Sequence, residues 1–331
     1  MRLNTLILGG LLLAALSGCR SSWSKSEQIM FRTPQADIAM LNPAEIRREP
    51  HNCRFSGAGW FTRLEPKAVA QNLIHDWTII EEIPGFAAFG LPEEFEEPIP
   101  LGENPDGTLR MLRIGVGEIK RRPDQVFLDE LQKPLPWEVA VFGTHDRRII
   151  QMRQNAPGRY RLVKRIRFPG QNRVRIEGEL VNLGRTELRT PVLLHPFYRV
   201  FGTQEKPVKK NGTSEFDMDP ARPPYLDVET HWYKFADTPD FDSENALPLP
   251  IPEGEFSRDM SLEQPVSGKW LVAGSALPGA AIRCDRPISR LVFWHQNNSL
   301  GHSFSVEPSF ELVAAPGERV FWQWDIVLPS H

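Results

Sequence analysis

The segment that most constrains this chain runs from Arg159 to Gly202, RYRLVKRIRFPGQNRVRIEGELVNLGRTELRTPVLLHPFYRVFG. Tyr160, Leu162, Ile166 and Phe168 fall on one parity, and Arg159, Arg161, Arg165 and Arg167 on the other. A period of two is the signature of a strand with one apolar face. Pro169-Gly170-Gln171-Asn172 is a turn by composition, after which Val174, Ile176 and Leu180 alternate with Arg173, Arg175, Glu177 and Glu179. A second turn at Leu183-Gly184-Arg185-Thr186 leads to Leu188, Val192 and Leu194. The pattern predicts an antiparallel meander of three consecutive strands. His195 has the opposite parity to Val192 and Leu194 and precedes Pro196, so it is expected on the polar face where the ladder stops.

Composition supports an all-β chain. Thirty Pro and twenty-four Gly favour many short strands and turns, while nine Trp and nineteen Phe among 40% hydrophobic residues can fill a large core. A net charge of −3, with no strongly basic run, gives no sign of a nucleic-acid partner. The three cysteines, Cys19, Cys53 and Cys284, show no zinc-binding spacing. Cys53 and Cys284 fit either a disulfide or two separate buried thiols.

Met1 to Ser22 is a targeting segment: Arg2, then an apolar run from Leu3 to Leu16 that is short for a membrane span. Leu16-Ser17-Gly18-Cys19 resembles the lipobox of bacterial lipoproteins. That resemblance implies a signal peptide over 1–18, lipid on Cys19, and anchorage in the bacterial cell envelope, on the periplasmic side of the outer membrane. Residues 19–50 then form a tether with one short helix at Asn42–Arg48, and 51–331 form the folded domain. From Cys53 the chain is strand-like, and 67–72 fits either a helix or an irregular loop. Glu93, Glu94, Glu96 and Glu97 read as a solvated loop. Gly115-Val116-Gly117 is a turn and lacks the third glycine and following helix of a dinucleotide fingerprint. Trp137 to Phe142 and Arg148 to Met152 are further strands. Residues 204–265 are turn-rich apart from YLDVETHWYKF, and the last third returns to strands, with Pro316-Gly317 turning the final hairpin.

Two ionisable residues stand out, His195 in LLHPFYRVFG and Glu307 in SFSVEPSFELVAAPGERVFWQW. Ser303, Ser305 and Glu307 share one parity and Pro308 follows, so Glu307 is placed as His195 is. A histidine and a carboxylate brought together make a general acid and base. No metal-ligand cluster or phosphate loop is visible, and no cofactor is expected.

Asn182, Thr190-Pro191, His195 and Phe197, with Val306-Glu307-Pro308 and Pro316-Gly317-Glu318, resemble the motifs of the galactose mutarotase-like superfamily, which includes aldose 1-epimerases. The resemblance covers residues 110 to 330 and implies a two-sheet antiparallel β-supersandwich with a carbohydrate ligand on a concave face. It further implies that His195 protonates the pyranose ring oxygen while Glu307 takes the proton of the anomeric hydroxyl. Phe197, Trp232 or Trp294 would supply an aromatic platform for the sugar. The family's second histidine and the arginine of its Gly-Arg-x-x-Asn-Arg motif are missing. Arg121 or Arg122 would stand in for that arginine, and Asp227 for the family's acidic pair. The same resemblance also fits a sugar-binding lipoprotein without activity, or a polysaccharide lyase or hydrolase on a related scaffold.

Overall fold

A computed structural model describes residues 27–45, 53–68, 72–74, 89–122, 125–143, 148–170, 172–199, 225–228, 246–248, 254–266, 269–273, 281–298 and 301–328. Among them the protein is all-β. β1 (Gln28–Arg32), β2 (Ala36–Leu41) and β3 (Phe61–Pro66) form a three-stranded sheet, and β4 (Glu93–Phe95) follows. β5 (Ile99–Glu103), β6 (Leu109–Arg113), β7 (Gly117–Arg122) and β8 (Gln125–Pro134) make a four-stranded sheet. β9 (Trp137–Phe142), β10 (Ile149–Ala156), β11 (Tyr160–Arg167) and β12 (Arg173–Asn182) run as a meander, each pairing with the next. β13 (Leu188–Leu194), β14 (Tyr198–Arg199), β15 (Tyr225–Val228), β16 (Ala246–Pro248), β17 (Gly254–Val266) and β18 (Lys269–Ala273) come next. β19 (Ala281–Cys284), β20 (Ile288–Asn298), β21 (Gly301–Ala314) and β22 (Arg319–Val327) complete the described strands.

Two large sheets result. One has the order β16-β15-β18-β19-β22-β12-β11-β10-β9, the other β17-β20-β21-β13-β4 with β14 also on β21. The alternation in β11 and β12 correctly marks their inner face, but the expected third strand of that meander is not in it. β13 pairs with β21 and β4, and the neighbour of β12 is β22. The turn at 183–186 is therefore a corner between sheets. Asn182 holds it: Nδ2 donates to Thr186 O and Ala314 O, each at 2.8 Å, and Oδ1 accepts from Gly184 N at 2.8 Å. Turn propensity could locate the bend, but not which sheet the next strand would join.

The core lies between these sheets, where Phe310 of one meets Trp324 of the other at 5.8 Å and Phe95 meets Trp322 edge-on at 6.0 Å. One row across the nine-stranded sheet breaks the apolar alternation. Lys164, Gly178 and Trp322 are successive register partners on β11, β12 and β22. A Cβ on Gly178 would fall 2.1 Å from the Trp322 ring, so the glycine makes room for the indole. Lys164 is fully buried and forms an ion pair with Glu93 of the opposite sheet. The indole N–H groups of Trp322 and Trp324 donate to Glu93 Oε1 at 2.9 and 3.0 Å. Burial drives the Lys164 ammonium well below the usual lysine range, and Glu93 is the opposing charge.

Several expectations need correction. Glu93 and Glu94 are buried strand residues rather than a solvated loop, and Glu96 is paired with Arg290; Glu97 alone of the four is exposed. Countercharges and indole donors make their burial tolerable. Within Asn42–Arg48, the described part is a turn: Ala44 N donates to Asn42 Oδ1 and Glu45 N to Asn42 O, with no helical continuation through Glu45. Residues 53–60 are irregular, the strand beginning only at Phe61, because three closely spaced small residues (Gly57, Ala58, Gly59) favour turns there. Cys53 and Cys284 are separate buried thiols. The targeting segment lies outside the described residues.

Candidate functional site

β21 is a single 14-residue strand running straight through Pro308, so Glu307 lies mid-strand and not at a strand end. The reason is the partner on its flank. β13 pairs with β21 up to Ser309, and β14 resumes at Phe304. Between them residues 195–197 leave the ladder, and a residue without a backbone donor falls where pairing is already interrupted. The excursion is tied elsewhere: His195 N donates to Pro92 O at 2.9 Å and Phe197 N to Gly90 O at 2.8 Å. His195 is thereby turned towards the gap beside Glu307.

The two side chains meet. His195 Nε2 lies 2.8 Å from Glu307 Oε1, a salt-bridge distance, although Glu307 Oε1 lacks an aligned hydrogen bond. Both side chains are 3% exposed, buried rather than on a solvated polar face. The other ring nitrogen, Nδ1, is 3.2 Å from Ser305 Oγ. Phe197 stacks on the imidazole at 4.1 Å and 21°, and Phe55 approaches its edge at 5.3 Å. The ring is held on both nitrogens and on a face. Phe197 accordingly serves His195 and, itself buried, is not an open platform for a sugar.

Arg54 supplies the nearby cation. Its Nε donates to Glu94 Oε2 at 2.7 Å, and its guanidinium sits 5.0 Å from the Phe55 ring. Burial by itself would raise the Glu307 carboxyl; His195, Arg54 and the Ser305 hydroxyl outweigh it and hold the group below its usual range. Burial would likewise lower Arg54, but Glu94 and Glu307 keep its guanidinium above its usual value. Behind Arg54 the charges alternate. Glu94 also accepts from Arg113 at 3.4 Å, Arg113 donates to Asp129 at 2.8 Å, and Asp129 takes two bonds from Arg121 at 2.9 Å.

Arg121 is thus four ion pairs removed from Arg54, on Asp129, and Arg122 is an exposed residue at the end of β7. Neither is brought to the His195–Glu307 pair; the cation beside it is Arg54. Asp227 belongs by its backbone to β15 of the nine-stranded sheet, whereas His195 and Glu307 are on the other. Trp294 is the register partner of Ser305, one strand from the pair. Trp232 and Cys19 lie outside the described residues. Thr190 is structural: its Oγ1 accepts from Glu97 N at 3.1 Å. Among the described residues, no group of three or more His, Cys, Asp or Glu is placed to hold a metal ion.

Ser305 and Arg54 are the residues that sequence reasoning missed. Ser305 was within reach of it, having the parity of Glu307 two positions away. Arg54 lies in a stretch whose composition predicts a strand, although Gly57-Ala58-Gly59 beside it signals a loop.

No protein-family model matches the chain, and no curated protein matches it in sequence. Solved structures do match in fold. The galactose mutarotase related enzyme from Lactobacillus acidophilus is 11% identical, with a TM-score of 0.55 over 92% of this chain and 97% of that one. A galactose mutarotase-like protein from Lactobacillus casei is 13% identical, with a TM-score of 0.53 over 91% and 100%. The Slr1438 protein from Synechocystis is also 13% identical, at 0.50 over 92% and 96%. The chain therefore has a galactose mutarotase-like fold, and the likeness, over 91–92% of the chain, takes in more than residues 110–330.

Proposed function

We propose that this chain interconverts the anomers of a free aldose, with His195 as acid and Glu307 as base. The observation that carries the reading is the contact itself: the chain brings an imidazole and a carboxylate to 2.8 Å on a mutarotase-like scaffold. In the forward step Glu307 takes the proton from the anomeric hydroxyl and His195 Nε2 gives one to the ring oxygen. The bond between C1 and the ring oxygen breaks as the C1 aldehyde forms. Rotation about the adjoining bond exposes the other face, and closure returns both protons. The chemistry needs one proton donor and one acceptor, each within about 2.6–3.2 Å of its atom. A bound sugar has to part the resting pair to reach both groups. A carboxyl kept below the usual carboxylate range is ionised at neutral pH, as the base must be.

A second reading is a carbohydrate-binding protein without turnover, favoured by the way Glu307 and His195 occupy each other at rest. Following the decay of freshly dissolved α-anomers of several aldoses separates the two. Acceleration above the uncatalysed rate supports the enzyme, and saturable binding without acceleration supports the binder. We further propose, on Leu16-Ser17-Gly18-Cys19, that the domain works in the cell envelope, held by lipid on Cys19.

A further inference from the structure

Residues 53–57 lie outside any strand, yet they bring two side chains to the site. Phe55, 1% exposed, meets the His195 ring edge-on at 5.3 Å and the Phe197 ring at 6.0 Å, and Arg54 is bonded to Glu94. A loop has no ladder to fix it, so its place depends on individual bonds. Ser56 N donates to Glu93 O at 2.9 Å, on the sheet that carries His195. Three more bonds join the loop to the four-stranded sheet and its turns. Cys53 Sγ donates to Asp129 O of β8 at 3.1 Å, Gly57 N donates to Gly115 O at 3.3 Å, and Arg113 Nη1 donates to Arg54 O at 3.4 Å. A Cβ on Gly115 would fall 2.5 Å from Ser56 Oγ, so the turn after β6 fits against the loop as glycine.

Arg113 reaches furthest of these. It ends β6 and is 4% exposed. Its Nη1 is shared between Arg54 O and Glu94 Oε1, at 3.4 Å each, and Nη2 donates to Asp129 Oδ2 at 2.8 Å. Glu94 in turn takes the Nε bond of Arg54 at 2.7 Å. One guanidinium thus holds the backbone of Arg54, the carboxylate that receives the Arg54 side chain, and a carboxylate on β8. A rigid fork can span three acceptors on three segments, whereas an ammonium is a single point.

We propose that Arg113 is a positioning residue: by clamping residues 53–57 to β4 and β8 it seats Phe55 on the edge of His195 and fixes the imidazole for proton transfer. The role rests on the acid function given above to His195. Among the described residues Arg113 bonds neither His195 nor Glu307, so it acts through the loop. Phe197 covers one face of the ring and Ser305 meets Nδ1; the loop adds the contact at the ring edge. An imidazole whose Nε2 has to come within about 2.6–3.2 Å of a ring oxygen tolerates little rotation. A misplacement of about 1 Å can cost about 10²-fold in rate.

The test compares wild type, Arg113→Lys, Phe55→Leu and the double variant. Arg175→Lys serves as a control, since it loosens an ion pair with Asp325 on the nine-stranded sheet. The readouts are the NMR signals of the His195 ring without substrate, the urea midpoint, and kcat and KM for anomer interconversion. Arg113→Lys should move the His195 signals and lower kcat about tenfold or more, with a smaller change in KM. In the Phe55→Leu background the same change should matter little, because both substitutions act along one route. Arg175→Lys should lower the urea midpoint and leave the His195 signals in place. Wild-type His195 signals in Arg113→Lys, or an effect that simply adds to that of Phe55→Leu, overturn the proposal. If Arg113→Lys does not fold, Asp129→Asn carries the same expectations, since it keeps an oxygen for Nη2 but removes the charge. Shifted signals in a chain whose wild type turns over no aldose support the positioning and count instead against the proposed activity.

Discussion

Lys164 of one sheet and Glu93 of the other form an ion pair inside the core, with Lys164 wholly buried and Glu93 also receiving two indole N–H bonds. The pair crosses the interface that holds the sandwich together. Desolvation offsets much of the attraction between buried charges, so intact pairs contribute little, whereas removing one partner leaves a bare charge.

Lys164→Met should therefore destabilise the fold by about 3–5 kcal/mol in urea unfolding. Adding Glu93→Gln, which keeps an oxygen for the indoles but removes the charge, should recover most of that loss. A double variant no more stable than Lys164→Met would show that the packing of Lys164, and not its charge, matters at this position.

Arg54 is, after His195, one of the groups that hold the Glu307 carboxyl down. The Glu307 carboxyl titrates in the fold below its unfolded value of about 4.3. Its contribution to stability is then complete above that unfolded value and is lost as pH falls through the folded one. Arg54→Met removes a cation that holds the carboxyl down, so the acid limb of the pH–rate profile should move to higher pH. An acid limb that stays in place would mean that Arg54 does not act on Glu307.

Lipid anchorage predicts that Cys19→Ser moves the protein from the membrane fraction to the soluble envelope fraction, or blocks its processing, without changing the activity of the domain. Full retention in membranes would contradict it.

The strands were legible in the sequence because alternation is local: the parity of Leu162, Ile166, Val174 and Ile176 alone marks the inner face of β11 and β12. Pairing between distant segments was not. Nothing in LGRT says that β13 changes sheets, since that depends on Asn182 reaching Ala314. Lys164 looks like one more basic residue in an arginine-rich run, and Glu93 like one more acid in an acidic run, until the fold sets them against each other. His195 and Glu307 could be found because each precedes proline on the parity opposite the apolar one. Their direct contact, closer than the roughly 5–8 Å that a sugar held between them suggests, belongs to the gap in the β21 ladder. Only tertiary structure shows that gap.

The central claim is that His195 and Glu307 act as one acid–base unit on a sugar. Polarimetry of freshly dissolved aldose anomers, with wild type, His195→Asn, Glu307→Gln and the double variant, tests it most directly. The account predicts that wild type accelerates equilibration of at least one aldose. Either single variant, still folded, should lose about 10²–10⁴ of that rate, and the double variant should be little worse because groups that act as a unit are not additive. Wild type that accelerates no aldose, or single variants as fast as wild type, would contradict it.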